Sequence, residues 1–208
     1  MRTNHKCSRC ILCESATTRC VAGRGNPKAK LMLVGEAPGS TEDRVGEPFR
    51  GQAGDLLTHI LNKLGLNEDD LFITNVLRCR PPNNKLPNKK ELLMCWLQCG
   101  PYLLEEIKQV RPKVILLMGN TPLQLMAQEK FISKWEGMKI DTLHTVITKG
   151  KRRFVSTLYA SYHPAAALRG PRLEKNIATA IYVAAKAAGL KPKPKGQEAG
   201  MYPYEIRG

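Results

Sequence analysis

The chain has 208 residues and a mass of 23.2 kDa, a length that suits one domain able to bury a full core without disulfides. Apolar residues at 42% and charged residues at 25% exclude wholesale disorder, and no apolar run reaches the ~20 residues of a membrane span. Lys and Arg number 33 against 18 Asp and Glu, a net charge of +15, which favours a polyanionic partner over a merely solvated basic surface, because each neutralised phosphate releases counterions.

In chain order, residues 1–29 are short of apolar periodicity and rich in Cys, Arg and Gly. They read as an irregular segment that needs a staple. The N-terminus, MRTNHKCSRC, lacks the apolar stretch of a secretory signal, so a soluble, cytoplasmic protein is expected. Leu31–Gly35 reads as a short buried strand, followed by a Gly-rich loop that runs to Gly54. Asp55–Leu64 is an amphipathic helix stopped by Gly65, and Leu71–Asn75 a second strand. Three prolines make Cys79–Lys89 an extended loop. Glu91 to Val110 has a helical pattern, which Pro101 is expected to end or kink.

Lys113–Met118 is a third strand and Thr121–Gln128 a short helix with Pro122 in its first turn. Residues 138–148 are expected to form a hairpin arm, Arg153–Tyr159 a fourth strand, and Pro171–Ala188 a helix capped by Gly189. The stretch from Lys149 to Lys195 holds eleven basic residues and one acid, Glu174. One domain is expected over residues 1–190, with residues 191–208 as a flexible, basic, Pro-containing tail.

Strands alternating with helices imply right-handed crossovers and a three-layer α/β/α sandwich around a four-stranded, mainly parallel sheet. Sites in such sheets form at the carboxyl ends of the strands. Four loops therefore matter, those after Val34, Ile73, Met118 and Leu158. Three of them carry a conspicuous polar residue: Glu36, Asn75 and His163. A carboxylate there can hold water or favour a cationic sugar, an amide can read the carbonyl/N–H edge of a pyrimidine, and a histidine can donate to a developing oxyanion. Phe49, in a Gly/Pro-rich loop, can stack on a flat ring or anchor that loop in the core. Seven cysteines, an odd number, argue for metal ligation over a disulfide framework. Cys7 and Cys10 form a C-x2-C pair. With two distant cysteines such a pair can hold zinc or a [4Fe-4S] cluster, and spacing does not choose between them.

Six segments together resemble the family 4 uracil-DNA glycosylases, the thermostable iron–sulfur type. They read CSRCIL (7–12), TTRCVAGRGN (17–26), LVGEAPGSTEDRVGEPFRGQAG (33–54), ITNVLRCRPPNN (73–84), ELLMC (91–95) and YHPAAALR (162–169). The resemblance spans roughly residues 7–190 in consistent order.

It implies an enzyme that hydrolyses the N-glycosidic bond of deoxyuridine in uracil-containing DNA, after the nucleotide has been turned out of the helix. A second reading, from another class, is a catalytically inactive iron–sulfur single-stranded-DNA-binding module. By resemblance, the catalytic residues are Glu36 or Glu42 for the water and His163 for the leaving oxygen. The base would lie against Gly35, Ala37, Phe49, Asn75 and His163. Ala37 stands where other glycosylase families carry Asp. Leu168, with Ala167, would wedge into the gap in the base stack, while Arg169, Lys151, Arg152 and Arg153 would take phosphates. A [4Fe-4S] cluster would be held by Cys7, Cys10, Cys79 and Cys95, with Cys99, in CGPYL, a competitor of Cys95 for the fourth place. The stretch PPNNKLPNKK holds no His, so turnover rather than a covalent sugar adduct is expected. A monomer with no membrane partner is expected, and no motif speaks for or against a replication clamp.

Overall fold

A computed structural model describes residues 4–140, 147–148 and 153–195. Among the described residues, eight strands and seven α-helices follow one another as α1 (Leu12–Ser15), β1 (Arg24–Gly25), β2 (Leu31–Gly35), α2 (Ser40–Val45), α3 (Gln52–Lys63), β3 (Phe72–Asn75), α4 (Lys89–Val110), β4 (Val114–Met118), α5 (Asn120–Ala127), β5 (Lys139–Ile140), β6 (Ile147–Thr148), β7 (Arg153–Phe154), β8 (Thr157–Ser161), α6 (Pro164–Ala167) and α7 (Leu173–Ala188).

The main sheet has the order β1-β3-β2-β4-β8-β5. Its four central strands are parallel, as expected. Two-residue strands lie antiparallel at either edge, so the sheet has six strands rather than four. Side chains alternate between two core layers, as the two-residue period of a strand requires. Leu31, Leu33, Leu116 and Tyr159 face the layer that α3 and α7 cover. Met32, Val34, Ile115, Leu117 and Leu158 face the layer that α4 and α5 cover. The three-layer sandwich stands on this alternation. No helix among the described residues is long and apolar enough to cross a membrane.

Several expectations change in the structure. α4 runs through Pro101 without a break. Proline removes a helical N–H, but Pro101 and Leu97, the residue whose carbonyl loses that donor, both lie on the solvent side, while Leu103, Ile107 and Val110 anchor the helix beyond. Its start is two residues earlier than Glu91, because Asn88 caps it by accepting from the backbone of Lys90 and Glu91. The expected strand at 153–159 is two strands, β7 in a small hairpin with β6 and β8 in the main sheet. Between them Ser156, buried, donates to the Pro112 carbonyl at 2.7 Å. The arm at 138–148 is not a hairpin on itself: Lys139–Ile140 pairs with β8, and residues 141–146 lie outside the described residues. The chain is not free from Lys191 on, since the backbone N–H groups of Lys193 and Lys195 donate to the carbonyls of Leu64 and Lys63. Residues 196–208 of the expected tail lie outside the described residues.

Candidate active site

β2 ends at Gly35 and β3 at Asn75, paired directly across the sheet. Bulk around Gly35 defines the site. A Cβ placed on Gly35 would lie 2.5 Å from Asn75 Oδ1 and 2.6 Å from Phe49 Cζ. Gly35 has no need of an unusual φ; it is required by the close approach of these two side chains. The Phe49 ring in turn meets the His163 ring, with centroids 5.5 Å apart and planes inclined by 30°. Three side chains, one from the end of β3 and two from loops, thus gather at the carboxyl end of the sheet.

Each is held in a specific way. Phe49 is buried with φ at +55°, a left-handed conformation that a bulky residue adopts only when its surroundings impose it. Here they do. Arg24 Nε donates to the Pro48 carbonyl at 2.9 Å and Arg24 Nη2 to the Phe49 carbonyl at 3.3 Å, while Glu68 grips the same guanidinium from the other side at 2.8 and 3.0 Å. On the following residues, Glu42 Oε1 accepts from the N–H groups of Arg50 (2.9 Å) and Gly51 (2.7 Å), and its Oε2 accepts from Gly39 N–H at 3.1 Å. Both oxygens of Glu42 are therefore committed to shaping the loop that presents Phe49.

Asn75 is 4% exposed, and its amide makes no hydrogen bond among the described residues. An amide held at the end of a strand with its donor and acceptor uncommitted to protein groups is available to a ligand with matching groups. His163 caps α6: its Nδ1 accepts from the Ala165 N–H at 3.2 Å. An accepting Nδ1 carries no proton, so the neutral ring holds its proton on Nε2. Burial pulls the pKa of His163 down to about 4, against the opposing pull of Glu42 and with help from the Arg169 charge. At neutral pH it is an uncharged hydrogen-bond donor.

Glu36 follows Gly35 and accepts from the Thr121 hydroxyl, 2.6 Å from its Oε2. Ala37 packs against the core on the α4 and α5 side, whereas Phe49 belongs to the core on the other side, so a contact of Ala37 with a base there has no support. At the end of α6, Leu168 is 49% exposed and Arg169 is exposed, while Ala167 is buried and is no part of an apolar tip. Lys151 and Arg152 lie outside the described residues; Arg153 begins β7. A cleft of about 330 Å³, lined by Ile11, Glu14, Pro82, Lys85, Pro87 and Glu91, contains none of the converging residues. Arg24 and Thr121 carry no sequence signal of their own, because each acts through a contact with a distant segment.

The cysteines gather on the α4 side of the sheet. Cys95 and Cys99 lie one helical turn apart and are both buried. The thiols of both reach Cys10, whose pKa falls to about 6, chiefly through the Cys99 thiol. The Cys99 thiol rises in consequence, and Cys79 is also among the groups acting on it. Burial pushes Cys79 up to about 12, and Cys7 and Cys10 add to that. Cys95 rises to about 12 through burial and then Cys10. The Tyr102 hydroxyl lies 3.9 Å from Cys7 Sγ, and the Cys20 N–H donates to Cys79 Sγ at 3.2 Å. Among the described residues no three His, Cys, Asp or Glu side chains close around a single ion. Ligands of a cluster occupy separate corners and do not need to. A set made of thiols alone suits iron–sulfur binding.

Beside this group, Arg78 and Glu106 form a fully buried pair at 2.6 Å, and Glu106 also accepts from Thr74 Oγ1 and the Gly23 N–H. Asp43 accepts from the N–H groups of Thr17 and Thr18. These contacts tie the irregular N-terminal segment to β3, α2 and α4.

Comparison with known proteins gives the chain a family. The profile of the uracil DNA glycosylase superfamily matches residues 22–184. The chain is 37% identical over 194 residues to the type-4 uracil-DNA glycosylase of Saccharolobus solfataricus, covering 90% of this chain and 84% of that protein. It is 41% identical over 175 residues to the type-4 enzyme of Archaeoglobus fulgidus, covering 81% of each. The type-5 uracil-DNA glycosylase of Thermus thermophilus is 32% identical over 161 residues, covering 70% of this chain and 68% of that protein.

Proposed function

The chain belongs to the uracil-DNA glycosylase superfamily, in its type-4 branch, and is a uracil-DNA glycosylase, a hydrolase of the N-glycosidic bond; from that premise we propose how its own residues divide the work. Its substrate is DNA, and the target base must leave the stack before any side chain can reach it. The everted uracil lies at Gly35, where the absence of a side chain leaves room, and stacks on Phe49. The unpartnered Asn75 amide reads the carbonyl/N–H edge of the ring. Cytosine, whose amino group reverses one of those hydrogen bonds, leaves the buried amide mismatched and is refused.

The C1′–N1 bond then breaks with its electron pair passing to the base. His163 donates its Nε2–H to the pyrimidine oxygen on which negative charge develops. Being neutral, it stabilises the anion as a hydrogen-bond donor and keeps its proton. Glu36 holds the attacking water and favours the cationic sugar; water adds at C1′ and a proton is released. Glu42 is the loop former that fixes Phe49, because its oxygens already take three backbone N–H groups. Leu168 enters the gap in the stack, and Arg169 takes a phosphate beside it.

Four thiolates would hold a [4Fe-4S] cluster: Cys7, Cys10, Cys79 and a fourth from α4. Cys99 is favoured over Cys95 for that place, since of the two thiols it is the stronger partner of Cys10. The cluster would supply a cross-link between residues 7–10, the loop after β3 and α4, and no step of the hydrolysis.

The single observation that carries this reading is the packing of Phe49 and Asn75 against Gly35, with the His163 ring against Phe49. It is tested with a labelled uracil-containing oligonucleotide, cleaved by alkali after excision. Asn75→Ala is expected to lower single-turnover excision by at least about 100-fold while oligonucleotide binding changes little. An equal loss in binding and excision would make Asn75 a structural residue. Wild-type protein that binds the oligonucleotide without cutting it would restore the inactive binding module.

A further inference from the structure

Of the four loops at the carboxyl edge of the sheet, the one between β4 and α5 contributes none of the residues assigned so far, yet it touches the site twice. Gly119 turns at φ +101°, and a Cβ on it would lie 3.2 Å from the Cβ of His163. Two residues on, Thr121 is buried and its hydroxyl donates to Glu36 Oε2 at 2.6 Å. No other side chain or backbone donor among the described residues reaches the Glu36 carboxylate, which leaves Oε1 free.

We propose that Thr121 is a positioning residue that aims the Glu36 carboxylate at the reacting sugar; this rests on Glu36 being the group that holds the water. A glutamate on a loop has several rotatable bonds, and without an anchor its oxygens sample many positions. One short bond to Oε2 narrows the positions the carboxylate can take and makes Oε1 the oxygen that accepts from water. The anchor must itself be rigid, and this one is. Thr121 is β-branched and sits in the first turn of α5, ahead of Pro122, whose φ is fixed. That turn is pinned from outside by Asn120, whose Oδ1 accepts from the Ile132 N–H at 2.8 Å. The same turn packs Gly119 against His163, so one helix start sets the spacing between the group that handles water and the group that meets the leaving base.

The experiment is a double-mutant cycle in single-turnover excision of uracil from an oligonucleotide, with DNA affinity and thermal melting measured on each protein. Thr121→Val is expected to slow excision by about 10–100-fold, the effect of a displacement of about 1 Å, with affinity unchanged and Thr121→Ser restoring most of the rate. In a Glu36→Ala background, Thr121→Val is expected to add nothing. Thr121→Val at the wild-type rate, or losses that multiply independently in the double variant, would overturn the positioning role alone. A Glu36→Ala variant at the wild-type rate would overturn the water assignment and the positioning role with it. Should Thr121→Val fail to fold, the contrast of Thr121→Ala with Thr121→Ser carries the same decision.

Discussion

His163 accepts a backbone N–H on one nitrogen and is left with a proton on the other, so its chemistry and its titration are bound together. Burial holds its pKa near 4, below the 6.5 of a free histidine. Between those two values the unfolded chain binds a proton that the folded chain refuses. Stability therefore increases with pH across this window: the contribution is whole above pH 6.5 and is lost progressively as pH falls towards 4. His163→Gln should flatten this part of the profile. Urea midpoints from pH 7 to 4.5 should fall less steeply in the variant than in the wild type; identical slopes would show that His163 does not titrate in this way. The same side chain was legible in sequence because it precedes Pro164 at the end of a strand, as Asn75 closes β3 and Phe49 sits between Pro48 and Arg50. Arg24, which grips the Phe49 turn, was not legible. Its partners lie more than twenty residues away, and nothing in its local pattern distinguishes it from the other basic residues of the N-terminal segment.

The helix α4 shows what a sequence pattern reveals of an element and what it conceals. The stripe Cys95, Cys99 and Tyr102, continuing to Glu106, repeats at the spacing of one helical face. The face turns towards the N-terminal segment and the loop after β3. The family resemblance pointed to Cys95, which is separated from Cys79 by fifteen residues with no insertion needed. The helix places a second buried thiol one turn further along, and of the two that thiol is the stronger partner of Cys10. Counting along the chain could not show this, because it follows from how α4 is rotated against its neighbours. The prediction is direct. Cys99→Ala should strip the purified protein of iron and of its absorbance near 400 nm, and Cys95→Ala should keep most of both. The reverse result would return the fourth place to Cys95. The edge strands escaped the sequence for a related reason: two residues make no periodicity, and β1 and β5 exist only because the central strands offer them an edge.

At the scale of the whole molecule, a net charge of +15 and a site at one edge of the sheet have to meet one polyanion. Arg169 and Leu168 stand next to each other beyond His163, both exposed, and the roles proposed for them address different parts of DNA. A guanidinium that neutralises a phosphate releases counterions, so its contribution depends on salt. An apolar wedge between bases contributes by holding the stack open, at a cost of a few kcal/mol per unstacked step. The two substitutions should therefore separate. Arg169→Ala should weaken binding to uracil-containing duplex and reduce the slope of log affinity against log salt by about 1. Leu168→Ala should leave that slope unchanged and slow excision from duplex more than from single strands, in which no stack need be held open. Filter binding between 50 and 200 mM salt, a range over which a phosphate-dominated interface loses orders of magnitude in affinity, decides the first. Single-turnover excision on the two substrates decides the second. If Leu168→Ala slowed both substrates equally, the leucine would be supporting the His163 loop rather than the opened helix.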